Sequence, residues 1–163
     1  MSAVPQPADA GQHSVVVMIG AHGGAGTTRS VCSYARHCGR NIRATIIDLD
    51  LWTGDIAARI GTAQHPTTSI ADLAVLAPES ITAMHLTTVQ WSTPHRGIDV
   101  IPSPQHPELA EIVTASHVGG MIDVLRQERA VIIDLGSRFD ERSLAACARA
   151  DQIVICAAFI SAL

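Results

Sequence analysis

The residues best suited to chemistry lie in one short stretch, Gly20-Ala21-His22-Gly23-Gly24-Ala25-Gly26-Thr27-Thr28. Glycines let a backbone take φ > 0 and approach an anion closely. Where such a stretch opens a helix, the free amides and the helix dipole favour negative charge. Three carboxylates fall at the ends of apolar runs: Asp48 and Asp50 in Ile47-Asp48-Leu49-Asp50, and Asp134 closing Val131-Ile132-Ile133-Asp134. Each of these residues also has a plain structural use, as a glycine-rich turn, a solvated pair at a strand end or a helix cap. On strand ends flanking one loop they point to one site, with both Asp48 and Asp134 expected to face Gly23–Thr28.

The elements that must position them follow from the apolar pattern. Ser14–Ile19, Arg43–Asp48, Ile98–Ile101, Ala130–Leu135 and Gln152–Ala157 are short apolar runs and read as buried strands. Thr28–Cys38, Gly54–Ile60, Ser69–Leu76 and Asp140–Arg149 read as helices. Glu108–Glu128 reads as mostly helical with a break near Gly119–Gly120, and Ser80–Gln90 has no clear period. Strands alternating with helices predict an α/β fold, a doubly wound, mostly parallel sheet with helices on both faces. The expected organisation is a flexible tail over residues 1–13 and a single domain over 14–163. The fifth strand, so close to Leu163, leaves little chain to cover it.

Composition narrows the chemistry. All 11 basic residues are arginine, so any mechanism that needs a lysine amine is excluded. The net charge of −4 argues against strong nucleic-acid binding, which usually shows as a basic surplus. Four cysteines without a C-x-x-C pair read as reduced thiols of a cytoplasmic protein. The histidines lack metal-ligand spacing. No segment has the length of a membrane span or the layout of a signal peptide.

Two families fit the loop. Gly20, Gly24 and Gly26 match the G-x-x-x-G-x-G spacing of the short-chain dehydrogenase type of Rossmann NAD(P)-binding domain, with Asp48 placed for a ribose hydroxyl. The catalytic Tyr-x-x-x-Lys pair of that family has no counterpart, since the one tyrosine is Tyr34. The stretch from His22 to Thr28 resembles instead the deviant Walker A loop of MinD/ParA-type P-loop ATPases. Ile47-Asp48-Leu49-Asp50 resembles that family's I-D-x-D motif, and Val131–Asp134 its Walker B strand. Gly54-Asp55-Ile56-Ala57, Ile70-Ala71-Asp72-Leu73, Ile98–Pro104, Pro107–Glu111 and Leu144–Cys156 resemble the CpaE/TadZ pilus-assembly branch.

The resemblance implies a P-loop NTPase domain that binds ATP or ADP with Mg²⁺. Gly23, Gly24, Ala25, Gly26, Thr27 and Thr28 would cradle the phosphates, and Thr28 and Asp134 would hold Mg²⁺, the latter through water. Asp48 would orient the attacking water and Asp50 would support the loop. It further implies a scaffold or positioning protein for a cell-envelope machine, such as pilus assembly or division-site selection. Such a protein would be cytoplasmic and drawn to the inner face of the membrane by protein partners, with a homodimer among its assemblies. The alternatives are an active MinD/ParA-type partitioning ATPase and a Rossmann-type NAD(P)-binding protein. Two departures mark this chain. The P-loop lysine falls at Thr27 and the signature lysine at His22, so hydrolysis is expected near background, a pseudo-ATPase lacking part of the family's C-terminal region.

Overall fold

The computed structural model describes residues 13–62 and 66–158. The tail expected over residues 1–13 lies outside them except for His13. Six strands form one sheet in the order β3-β4-β2-β5-β1-β6. They are β1 (Val15–Gly20), β2 (Ala44–Asp48), β3 (Trp91–Ser92), β4 (Ile98–Ile101), β5 (Ala130–Asp134) and β6 (Gln152–Cys156). All neighbours run parallel except β3, which pairs antiparallel with β4. The expected doubly wound α/β fold is therefore observed, with one short antiparallel strand added at the edge.

The central strands read as unbroken apolar runs because both faces are covered. Val15, Val17, Ile47, Ile101, Val131 and Ile133 point into one core. That face is covered by α3 (Ala83–Val89), α4 (Ala115–Leu125) and α5 (Glu141–Cys147). Val16, Met18, Ile46, Val100 and Ile132 point into the other, beneath α1 (Thr27–Cys38) and α2 (Ile56–Ile60). Alternation within each strand thus feeds two cores rather than one core and solvent. The edge strand β6 differs. Val154 packs on the α1 side, while Ile153 and Ile155 remain exposed on the other.

Three local expectations change. Ser69–Leu76 forms only a 3₁₀ turn at Ile70–Leu73, capped by Ser69 and Asp72. The segment Glu108–Glu128 breaks at Thr114, not at the glycines: Pro107–Ile112 is 3₁₀, and α4 runs straight through Gly119 and Gly120. Those glycines serve close packing. A Cβ on Gly119 would sit 2.7 Å from the Arg149 guanidinium, and one on Gly120 would sit 2.8 Å from the Pro78 carbonyl oxygen. Within Ser80–Gln90, α3 starts at a Thr82 cap, whose hydroxyl accepts the His85 amide.

Candidate functional site

The loop after β1 is fixed from both sides. The Gly20 amide donates to the Gly136 carbonyl beyond β5 at 2.7 Å, and the Ala21 amide to the Cys156 carbonyl of β6 at 2.8 Å. Gly24 and Gly26 adopt left-handed φ of 79° and 83°, and Gly26 is the residue immediately before α1. A Cβ placed on Gly23, Gly24 or Gly26 would meet nothing within 4 Å. The loop therefore borders open space, with its backbone presented at a helix start. That space is a cleft of about 420 Å³. Its floor is Gly23–Thr28, and its walls include Asp50, Asp55 and Arg59.

The individual residues divide by depth. Thr27 is buried, and its hydroxyl lies beneath the loop, 2.6 Å from where a Gly20 side chain would begin. Gly20 is thus held to glycine by a side chain of its own loop. Asp134 is fully buried. Its Oδ1 accepts the Gly136 amide at 2.9 Å, while Oδ2 has no hydrogen-bond partner. Burial pushes its carboxyl above the usual range; the Gly136 amide and the nearby Thr28 hydroxyl pull it back. Asp50 stands at the cleft wall, accepting the Thr53 amide at 3.2 Å and the Thr53 hydroxyl at 2.7 Å.

Asp48 stands opposite Asp134 in register across the β2–β5 pair, as the strand-end reading requires. Its carboxylate, however, turns away from the loop cleft. Oδ2 accepts the Ile56 amide and the Ser103 hydroxyl, both at 3.2 Å. It lines a second cavity of about 440 Å³ with Trp52, Gly54, Pro102, Ser103 and Gln105. Oδ1 is buried without a partner. Burial pushes the Asp48 carboxyl well above the ordinary carboxylate range, and the Asp134 charge beside it pushes the same way. The turn from Gly54 to Ile56 causes this orientation: a Cβ on Gly54 would lie 2.5 Å from both Asp48 oxygens. Of the two carboxylates expected to face the loop, the structure sets Asp134 beside it and Asp48 toward its neighbour.

His22 occupies the loop's entrance. Its Nδ1 lies 2.8 Å from the Gly23 carbonyl oxygen and its Nε2 3.2 Å from that of Ala158. Two carbonyls can both be satisfied only when both ring nitrogens carry protons. The Gly23 contact, and then that to Ala158, accordingly raise its pKa above 6.5. Arg59 carried no signal in the sequence, because its position beside the loop depends on how α2 packs next to α1 on one face of the sheet. Trp52 is flanked by the guanidinium groups of Arg138 and Arg142, 4.6 and 4.7 Å from its ring centroid.

The donors present suit a magnesium–phosphate group. Glycine backbone bordering open space, the Thr28 hydroxyl and the partnerless Asp134 oxygen lie together, which suits an anion beside a hard-cation oxygen set, although the Ala25 amide is already donated to the His22 carbonyl at 3.2 Å.

A parallel α/β sheet with a glycine loop after its first strand is shared by P-loop NTPases and Rossmann-type domains, and likeness to solved structures places this fold among the former. No protein-family model matches the chain, and no curated protein sequence matches it. Solved structures do. A ParA family ATPase from Chlorobium tepidum TLS aligns with a TM-score of 0.77 at 21% identity, over 90% of this chain and 60% of that one. The cell division ATPase MinD of Pyrococcus furiosus aligns at 0.72 and 16% identity, over 88% of this chain and 58% of that one. The septum site-determining protein MinD from Pyrococcus horikoshii OT3, complexed with Mg-ADP, aligns at 0.73 and 14% identity, over 88% and 57%. The fold is thus that of MinD/ParA-type P-loop NTPases, and the chain spans about 60% of the length of these structures.

Proposed function

We propose that this chain is a MinD/ParA-like nucleotide-binding protein that holds magnesium–ATP or ADP and turns it over weakly or not at all. In this reading it serves as a CpaE/TadZ-like positioning or scaffold protein for a cell-envelope assembly, recruited to the membrane by protein partners. The observation that carries it is the Gly23–Thr28 loop, open to solvent and opening α1, with Thr28 and the partnerless Asp134 beside it. The loop amides bind the phosphates, and Thr28 and Asp134 hold Mg²⁺, which neutralises phosphate charge when bound. Asp50 braces the turn that carries Thr53. Asp48 is too committed to Ile56 and Ser103 to orient a water over the loop without moving. With Thr27 and His22 at the two lysine positions, the transition-state clamp is weak, and one such group is commonly worth about 10³–10⁵ in rate.

Calorimetric titration of ATP, ADP and NAD, with and without Mg²⁺, tests this. Magnesium-dependent binding of ATP or ADP supports the reading. Binding of NAD alone, independent of Mg²⁺, would replace it with the dinucleotide-binding one. Turnover matching an intact family member and abolished by Asp48→Ala would refute the weak-hydrolysis part.

A further inference from the structure

The geometry points to Arg59 as the side chain that supplies positive charge to a phosphate bound in the loop cleft. The assignment rests on the nucleotide reading above and deepens it. A polyphosphate needs cations, and this cleft is short of them. The chain has no lysine, and the cleft's own walls carry Asp50 and Asp55, with Asp134 buried behind. The cationic side chains at the cleft besides the imidazole of His22 are Arg29 and Arg59.

Arg59 is held in place by backbone and free to move by side chain. The Arg36 guanidinium of α1 donates to the Arg59 carbonyl at 3.4 Å, which ties α2 to the helix that the loop opens. The Arg59 Nε donates to Asp55 at 2.6 Å. Both side chains are substantially exposed, at 56% and 41%. An exposed pair one helical turn apart is weak and easily exchanged. Among the described residues the two terminal nitrogens of Arg59 donate to nothing, which leaves the planar fork available for a bidentate contact to phosphate oxygens. Asp134, whose buried Oδ2 lacks a partner, is near enough for its charge to be felt at Arg59. Asp55 then acts as a parking place, holding the guanidinium at the cleft wall until an anion competes for it.

The test titrates the natural chain and five variants, one of them double, with Mg²⁺–ATP and with inorganic triphosphate, by calorimetry at two salt concentrations. Arg59→Gln should weaken both ligands on the order of tenfold or more, with an unchanged melting temperature. Arg59→Lys should recover part of the loss, as a point charge without the fork. Arg29→Gln should lose less than Arg59→Gln. Asp55→Asn should tighten binding in the natural chain by clearly more than in the Arg59→Gln background, because only there does it release a guanidinium. Equal affinities for Arg59→Gln and the natural chain overturn the assignment, as does an equal gain from Asp55→Asn in both backgrounds. If the natural chain binds neither probe, the nucleotide reading falls and this assignment with it. If it binds both and Arg59→Gln is silent, the assignment alone falls.

Discussion

Two cavities of similar size open at the same edge of the sheet, and Asp55 borders both. The loop cleft is walled by glycine backbone, threonines and two arginines, and extra side-chain atoms on Gly23, Gly24 or Gly26 would meet nothing. Its neighbour is walled by Trp52, Pro102 and Pro104 around a buried carboxyl, and an extra atom on Gly54 would strike that carboxyl. Glycine is thus required for opposite reasons. In the loop it keeps space open for something else; at Gly54 it makes room for a side chain already there. The charge differs as well. The first cavity mixes Arg29 and Arg59 with Asp50 and Asp55 at its walls, and the second holds an acid that burial drives toward its neutral form.

The comparison breaks most readily at Gly54. Gly54→Ala should destabilise the fold by about 1–3 kcal/mol in urea unfolding, because Asp48 and Ser103 must both shift. A silent substitution would mean that Asp48 is not braced as described. Next is Asp48 itself. Its folded pKa is raised, so the native state binds the proton more tightly than the unfolded chain does. Its contribution is fully present below the unfolded value, near 4, and is lost as pH rises through the folded value. Asp48→Asn should therefore flatten the decline of stability with rising pH, gaining roughly 1 kcal/mol or more at pH 8 relative to pH 4. An unchanged pH profile would contradict a strained, buried acid.

The loop cleft should respond through ligand rather than stability. His22 is raised above 6.5 by its two carbonyl contacts, so it carries charge below its folded pKa and loses it above. Affinity for Mg²⁺–ATP should be roughly several-fold higher at pH 6.5 than at pH 8.5, through the charge the imidazolium places at the cleft rather than through a direct hydrogen bond. His22→Gln should remove most of that difference; an identical profile in the variant would exclude His22 as its source. The smallest effect on the fold is expected at Gly23. Gly23→Ala should change stability by less than about 0.5 kcal/mol, since its φ is not left-handed and no atom is near. A large loss there would show that the loop is packed in a way the structure does not show.

Much of this frame was legible in the residues. The runs Ser14–Ile19, Arg43–Asp48 and Ala130–Leu135 were legible as strands, because continuous apolar sequence is what a strand buried on both faces requires, while their adjacency in the sheet was shown only by the structure. Strand β3 was not legible: two residues paired antiparallel at an edge leave no period to detect. Gly119 and Gly120 suggested a break because glycine weakens helices, but close contacts with Arg149 and Pro78 outweigh that preference. At the site, Thr28 and Asp134 could be placed together from strand ends. The orientation of Asp48 could not, because it is decided by one backbone amide at Ile56 and one hydroxyl at Ser103. Arg59 was overlooked for a related reason. The segment following Asp50 had been read only as a short helix, with no indication of which face it turns to the loop.

The contact of Trp52 with the Arg138 and Arg142 guanidinium groups gives the molecule an optical handle. The chain has two tryptophans, and the other, Trp91, lies in the edge strand β3 with its indole N–H donating to the Thr68 carbonyl. Replacing Trp91 with phenylalanine would leave one tryptophan, at the wall of the Asp48 cavity. Excited at its red edge, its fluorescence would report on that wall. Iodide or acrylamide quenching would then follow access to it without a label.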